Sequence, residues 1–344
     1  MASEVNLAQL RALVAVADTG GFGAAADELG ISQSAVSHAV AALERTLGAP
    51  VLLRGTPARP TPLGEQILPH ARTAVASAAA VRAIATRHSG GPVGTVRLAA
   101  PTTVCQALLP GLLRDWKAAY PQVTVRVFEG EDDELATWLE AGTVDAAVLV
   151  DPGPLPPGAV ALGADSMHAL LRRDHPLAGQ EAIHVADLED DDFLLSEGGC
   201  ERHIREAFRR AGARFSPRHR IRDLNTLIGM VHAGVGVSVM PALALTMLPA
   251  DCVLVPIRPA VHRTLTLTGP TSRPWSPAVG GLLAAVGAAQ GAGSAAHGAV
   301  GAGQGAVDAA QGAVDAAQGA VGAAQGAGDA GQGTRAGVRV AARA

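Results

Sequence analysis

Cysteine is scarce in this chain. Cys105, Cys200 and Cys252 are widely spaced and odd in number, which excludes a disulfide framework. No N-terminal stretch joins basic residues to an apolar run, so no export signal is read and a cytoplasmic location is expected. Long hydrophobic runs are also missing. The greasiest uncharged stretch, Ala233 to Ala250, is broken by Gly234, Gly236, Pro241 and Pro249, and no membrane partner is expected. Neither sign of charge dominates: the net is −4, and residues 1–90 hold seven arginines against six acidic groups, 7 − 6 = +1. Such weak basicity gives only modest attraction to phosphate per subunit.

Catalytic spacing is lacking too. Gly234-Val-Gly236-Val-Ser238 satisfies neither a dinucleotide fingerprint nor a nucleophile elbow. His168, His175, His184, His219, His232 and His262 are scattered, and no Ser/His/Asp set stands out. Cys200 and His203 lie three residues apart, but no second Cys/His pair completes four metal ligands nearby. The chain is read as a non-enzyme with no metal and no cofactor. What it does have is 48% hydrophobic residues and 17% charged over 344 positions, enough for packed cores in two or three domains.

The segment Gly20 to Gly48, GGFGAAADELGISQSAVSHAVAALERTLG, reads as two short helices joined by a tight turn. Ala24, Ala25, Ala26 and Leu29 let another helix approach closely, and Gly30 can take the positive φ of the turn. Ser32 is placed to cap the second helix. Val36, Val40, Leu43 and Leu47 then form one apolar stripe, with Gly48 as a stop. The other face carries Gln33, Ser34, Ser37 and His38, suited to base edges and phosphates at the helix start. Upstream, Asn6 and Gln9 have capping-box spacing, and Leu7, Leu10, Leu13, Val14 and Ala17 continue as an amphipathic helix. Periodicity alone fits an ordinary all-α core equally well.

The wording of the segment goes further. Leu10, Ala17, Gly20, Phe22, Ala24 to Ala26, Leu29, Ser32-Gln33-Ser34-Ala35-Val36-Ser37, Leu43-Glu44, Leu47-Gly48, Arg54, Thr61 and Gly64-Glu65 resemble, in order and spacing, the DNA-binding domain of LysR-type transcriptional regulators. LLRGTPARPTPLGE is about one residue shorter than that family's usual wing, and Pro57, Pro60 and Pro62 cannot donate ladder hydrogen bonds, so an irregular wing is expected. The resemblance implies that Arg54 and Arg59 contact the DNA backbone or minor groove, beside Ser32, Gln33, Ser34, Ser37 and His38 on the helix. From Thr61 and Pro62 a helix is expected to about His88, kinked near Pro69. Its small residues Ile67, Ala71, Ala74, Ala78, Val81 and Ala85 step 4, 3, 4, 3, 4. The resemblance makes this a dimerisation seam; the alternative is a helix packed on its own domain. SGGPVG at Ser89 to Gly94 reads as a hinge.

Beyond the hinge the pattern alternates. TVRLAA, a helix from about Cys105 to Tyr120, VTVRVFEG, a helix around Leu135 to Ala141, and VDAAVLV call for a mainly parallel sheet covered by helices. A second set follows: MHALLR, DDFLLSEGG, a helix from Glu201 to Ala211, RHRIRDL, a helix from about Thr226 to Ala233, and GVSVMP. RTLTLTG and a helix near Pro277 to Val286 return to the first set. LLPGLLRDWKAAYPQVTVRVFEG, LEAGTVDAAV and MVHAGVGVSVMP resemble the effector-binding domain of the same regulators, whose lobes look like periplasmic solute-binding proteins.

The expected architecture is α+β and multidomain. A winged helix-turn-helix occupies 1–62 and a linker helix 63–89. A bilobal α/β domain occupies 90–286, with lobe 1 at about 94–161 and 264–286 and lobe 2 at about 162–263. A low-complexity tail occupies 287–344. In such folds ligands sit beyond the carboxyl ends of strands, near helix N-termini. Thr102 and Thr103 stand there in lobe 1; Ser196, Cys200 and Arg202 in the SEGGCER turn of lobe 2, with Arg202 as an anion clamp; Asn225 fits either role. Gly234 and Gly236 suit a tight turn. Cys105 and Cys200 facing across the cleft would be a redox pair, although free cysteine is usually a buried small hydrophobe. The tail repeats GAVDAAQ in sevens with Val300, Val307, Val314 and Val321, and its glycines oppose helix, so disorder is expected.

The expected function is a promoter-binding regulator whose partners are double-stranded DNA, a small-molecule effector and further copies of itself in a homodimer or homotetramer. The alternative is a solute-binding protein or enzyme that uses the bilobal part alone.

Overall fold

The computed structural model describes residues 4–53, 55, 57–86 and 92–296. Arg54, His88, the first hinge residues and the repeats beyond Ala296 lie outside the described residues. Helix α1 (Leu7–Thr19) starts on a reciprocal cap: the Gln9 N–H donates to Asn6 Oδ1 at 3.0 Å and the Asn6 N–H to Gln9 Oε1 at 3.0 Å. Helix α2 (Phe22–Leu29) ends on Gly30 at φ +66°, a conformation that side chains with a Cβ rarely adopt. Helix α3 (Gln33–Leu47) then begins at Ser32, whose Oγ accepts from the Ala35 N–H at 3.2 Å. Val36, Val40 and Leu43 are buried with Leu13, Val16 and Ala25. Leu47 departs from the expected stripe. It is the last residue of the helix, before the Gly48 cap, and is 36% exposed.

The wing is minimal: β1 (Leu52–Leu53) pairs antiparallel with β2 (Arg59–Pro60), and Pro60 can join because it needs to donate nothing outward. Helix α4 (Pro62–Thr86) runs continuously through Pro69. Its start is not a free seam. Leu68 and Ala71 are buried in the core of the helix-turn-helix, whereas Val81 stands 67% exposed.

The second domain is built on β3 (Gly94–Ala100), α5 (Thr102–Ala107), α6 (Leu109–Ala119), β4 (Val123–Glu129), α7 (Asp132–Glu140) and β5 (Ala146–Val150). The helix expected from Cys105 instead starts at Thr102 and breaks at Leu108, just before Pro110, which has no N–H for the turn behind it. Next comes β6 (Val160–Arg172), longer than the expected MHALLR strand. Then follow β7 (Ile183–His184), β8 (Leu194–Ser196), α8 (Glu201–Ala211), β9 (His219–Ile221), α9 (Leu224–His232), β10 (Ser238–Pro241), β11 (Cys252–Arg258), β12 (His262–Thr268) and α10 (Pro277–Ala296). Strand β11 has no counterpart in the sequence reading.

The sheet is mixed rather than mainly parallel. β3 pairs parallel with β4 and β5, while β12 is antiparallel to both β5 and β6. β6 belongs to both lobes: Val160 to Ser166 pair with β12, and Met167 to Arg172 pair with β10 and β11. The lobe boundary expected between 161 and 162 thus falls inside a strand. Lobe 1 packs Val96, Leu98, Trp116, Val148, Leu265 and Leu282. Lobe 2 packs Met167, Leu171, Ile204, Phe208, Val239 and Val255, with the Phe193 and Phe208 rings edge to face at 5.1 Å.

Ion pairs tie the first domain to lobe 1. Asp18 of α1 accepts from Arg72 of α4 and lies 3.4 Å from Arg97 of β3, which in turn reaches Asp145 at 3.0 Å. Glu28 of α2 lies 3.5 Å from Arg126 of β4. Each partly exposed pair contributes little alone; together they join α1, α2 and α4 to β3 and β4.

Candidate functional site

Two surfaces carry the chemistry. On α3, Gln33, Ser34 and His38 are exposed and Ser37 is half-buried, so the hydrophilic side of the helix faces outward while Val36 and Val40 hold it to the core. Ser32 and Ser34 share a hydroxyl contact of 2.9 Å at the helix start. Arg59 is exposed on the wing strand.

The second surface lies where β6 and β12 pass between the lobes. Arg263 and Asp165 are direct cross-strand partners, 2% exposed each. Arg263 Nε and Nη2 donate to Asp165 Oδ2 at 3.1 and 2.8 Å; Nη2 also donates to Thr103 Oγ1 at 2.9 Å, and Nη1 approaches Cys200 Sγ at 3.9 Å. One guanidinium therefore touches the start of α5 in lobe 1 and the cap of α8 in lobe 2. Asp151, at the end of β5, accepts from the Thr264 N–H at 2.6 Å and its hydroxyl at 2.7 Å, and meets His203 Nε2 of α8 at 2.6 Å. Burial pushes this carboxyl up, but the Thr264 and His203 bonds outweigh it and hold it below the usual range.

Across the mouth, lobe 1 closes on lobe 2. Glu131 Oε2 accepts from the Gly199 N–H at 3.1 Å, and a Cβ on Gly198 or Gly199 would lie 2.1 Å from the Glu131 or Asp132 carboxyl group. At Gly199 the atoms met are Asp132 Cβ and Cγ, close to that residue's backbone, so the approach there calls for glycine. Burial raises both acids; Gly199 partly offsets the rise at Glu131, and Arg263, Arg202 and His203 partly offset it at Asp132. Asp132 Oδ2 and His203 Nδ1, one from each lobe, are buried without a hydrogen-bond partner. Such orphaned atoms are expensive unless something else satisfies them.

The residues picked from the sequence divide accordingly. Thr103 and Cys200 meet at Arg263. Thr102 is turned to Glu129, donating at 2.7 Å, and Ser196 is buried at the end of β8. Arg202 is not a free anion clamp: its Nη2 donates to the Val150 carbonyl at 2.7 Å, with Asp151 at 3.7 Å. Asn225 is exposed in the first turn of α9. Cys105 donates to the Ala100 carbonyl of its own lobe at 3.5 Å, and burial pushes both the Cys105 and Cys200 thiols up to about 11. Gly234, at φ +77°, does serve a turn. Arg263, Asp165, Asp151, Asp132 and Glu131 were missed, and His203, weighed only as a metal partner of Cys200, instead meets Asp151. RTLTLTG reads as a plain strand, and nothing local marks its arginine as buried opposite an aspartate 98 positions away.

Known proteins match both parts. Residues 7–65 match the model of the bacterial regulatory helix-turn-helix protein, lysR family, and residues 89–291 the LysR substrate binding domain. The chain is 30% identical to the HTH-type transcriptional regulator YvbU of Bacillus subtilis over 78% of its own length and 92% of that protein. It is 34% identical to a probable hydrogen peroxide-inducible genes activator of Mycobacterium avium, over 69% and 78% of the two chains. A full-length OxyR structure from Pseudomonas aeruginosa superposes with a TM-score of 0.66 at 26% identity, covering 83% of this chain and 95% of that one. Among the described residues no helix is long and apolar enough to cross a membrane. With an exposed recognition face on one domain and a polar cleft in the other, the chain belongs to the LysR family of DNA-binding transcriptional regulators that carry an effector-binding domain.

Proposed function

We propose that a small polar effector enters between the lobes at Asp132, His203, Cys200 and Arg263, and that its binding changes how the paired recognition helices meet promoter DNA. The observation that carries this is the pair of orphaned buried atoms, Asp132 Oδ2 and His203 Nδ1, on facing lobes. With Arg263, Arg202 and His203 favouring its charged form, Asp132 Oδ2 is placed to accept from a hydrogen-bond donor. The effector is therefore read as donor-bearing rather than purely anionic, since Thr102, Thr103 and Arg202 already have partners within the chain. Cys200 supports a binding role over an oxidative one, because a thiol held protonated is a poor nucleophile.

Gln33, Ser34, Ser37 and His38 read bases in the major groove, with Ser32 at the helix cap, and Arg54 and Arg59 hold backbone. Dimerisation uses α4 from Ala74 onward, where Val81 is exposed; Ala71 is already committed to its own core. The Asp18, Arg72 and Arg97 pairs carry lobe movement to α3.

Gly199→Ala tests the cleft. The added methyl overlaps the Asp132 side chain, a crowding that costs about 1–3 kcal/mol in the closed form, or roughly 5- to 150-fold in the opening equilibrium. Amide hydrogen exchange at 131–134 and 199–204 should speed up by that factor, and a promoter reporter should lose its effector response while DNA binding persists. Unchanged exchange would remove the cleft from the account.

A further inference from the structure

Away from the cleft, on the outer side of lobe 2, three side chains converge from two rigid elements. His232 closes α9, Cys252 opens β11 and Asp251 ends the turn just before it. His232 Nδ1 lies 2.8 Å from Asp251 Oδ1, and a nitrogen, an oxygen and a sulfur from the three residues fall within 4.8 Å of one another. Tetrahedral zinc, with bonds of about 2.0–2.3 Å, holds ligand pairs roughly 3.3–3.6 Å apart. From separations of 2.8 to at most 4.8 Å, side-chain rotations that move the ligand atoms by roughly 0.5–1.5 Å reach that spacing.

The surroundings fit a cation. His232 stands in the last turn of its helix, where the carbonyl ends leave partial negative charge. The Asp251 and Cys252 backbone is fixed, the Asp251 carbonyl accepting from the Arg173 N–H at 2.8 Å and the Cys252 N–H donating to the Pro249 carbonyl at 3.0 Å. Two cations lie close, but Arg172 is spent on Asp174 through bonds of 3.0 and 2.6 Å, and Arg173 Nε donates to the Ala250 carbonyl at 2.6 Å. Cys252 is 3% exposed, while His232 and Asp251 are half-exposed, so the group is apolar behind and open to water in front.

We propose that His232, Asp251 and Cys252 form a three-ligand site for a borderline divalent cation of the zinc class, with water in the fourth position. One imidazole, one carboxylate and one thiolate are a donor set such an ion takes, whereas calcium and magnesium prefer all-oxygen sites. Binding releases the Cys252 thiol proton to solvent as the sulfur–metal bond forms. Burial pushes that thiol up, an effect a directly bound dication overrides. The ion would brace the carboxyl end of α9 against β11. Arg222, two residues before the helix, lies close enough to Glu131 to favour its charged form, so the same helix begins beside the cleft.

The test is titration of the full-length protein with cobalt(II), and with zinc(II) in equilibrium dialysis. The wild type should take up one equivalent and show a near-ultraviolet thiolate-to-cobalt band that Cys252→Ser removes and Cys105→Ser does not. His232→Gln and Asp251→Asn alter half-exposed positions and leave the fold intact. Outer-shell substitutions alone cost about 10- to 100-fold in metal affinity, so loss of a ligand should cost no less. A wild type without the band, a band that survives Cys252→Ser, or unchanged affinity in both exposed variants would each overturn the site.

Discussion

Arg263→Ala is expected to destabilise the effector domain by about 3–5 kcal/mol, because it leaves Asp165 as a buried charge without its partner. The two side chains are 2% exposed each; among the described residues Arg263 supplies both bonds to Asp165 Oδ2 and the only cation, while Oδ1 accepts from the Ser166 N–H at 2.8 Å. For a domain of this size the loss corresponds to roughly 6–20 °C in Tm. It would also strip the Thr103 hydroxyl of its donor and remove the cation beside Cys200, so both lobes lose a fixed point at once. Arg263→Met combined with Asp165→Leu should recover most of the stability, since an apolar pair of similar volume carries no desolvation penalty. Chemical denaturation of the three proteins decides it. A shift below about 1 kcal/mol in the single variant would mean that the pair is not buried as described.

Gly64→Ala is expected to cost about 3 kcal/mol, at the upper end of the range for overpacking, and to act on the DNA-binding domain alone. A Cβ there would lie 2.0 Å from the Val51 carbonyl oxygen and 3.3 Å from Pro60 Cβ. The first of these is backbone and cannot rotate away. The same carbonyl accepts from the Thr61 N–H at 3.0 Å, and the Thr61 hydroxyl both accepts from the Gly64 N–H at 3.0 Å and donates to the Pro50 carbonyl at 2.9 Å. Moving α4 away from Val51 would break that cap and pull Leu68 and Ala71 out of the core. Hydrogen exchange should rise through residues 7–53 and stay unchanged in the lobes. Wild-type protection in the first domain would contradict the packing.

The helix-turn-helix was legible in the sequence because its information is local. Asn6 with Gln9, Gly30, Ser32 and Gly48 sit at helix ends where the chain dictates the conformation within a few residues. The lobes were legible as alternating elements but not as a sheet. Strand β6 contains Gly163, Asp165 and Ser166, which break the apolar run and hide the half that pairs with β12. Strand β11 carries Pro256 and follows Pro249, which interrupt the alternation that marks a strand, and the sequence reading assigned it nothing. The break between α5 and α6 does have a signal in the sequence, Pro110, at the second position of α6. The cleft was half legible. Thr103 and Cys200 flank strand-to-helix turns, and that position alone pointed to them. Arg263, Asp165 and Asp132 matter through contacts between segments far apart in sequence, which no local pattern encodes.

Quantitative footprinting decides whether α3 reads base edges with its outward side. Wild type and Gln33→Ala are compared on the intergenic DNA beside the chain's own gene and on random duplex, over a range of salt. The wild type should protect a palindromic site with affinity that falls steeply as salt rises. Gln33→Ala should lose about 1–3 kcal/mol on that site and almost nothing on random DNA. Equal losses on both duplexes, or no salt-dependent protection by the wild type, would contradict the account.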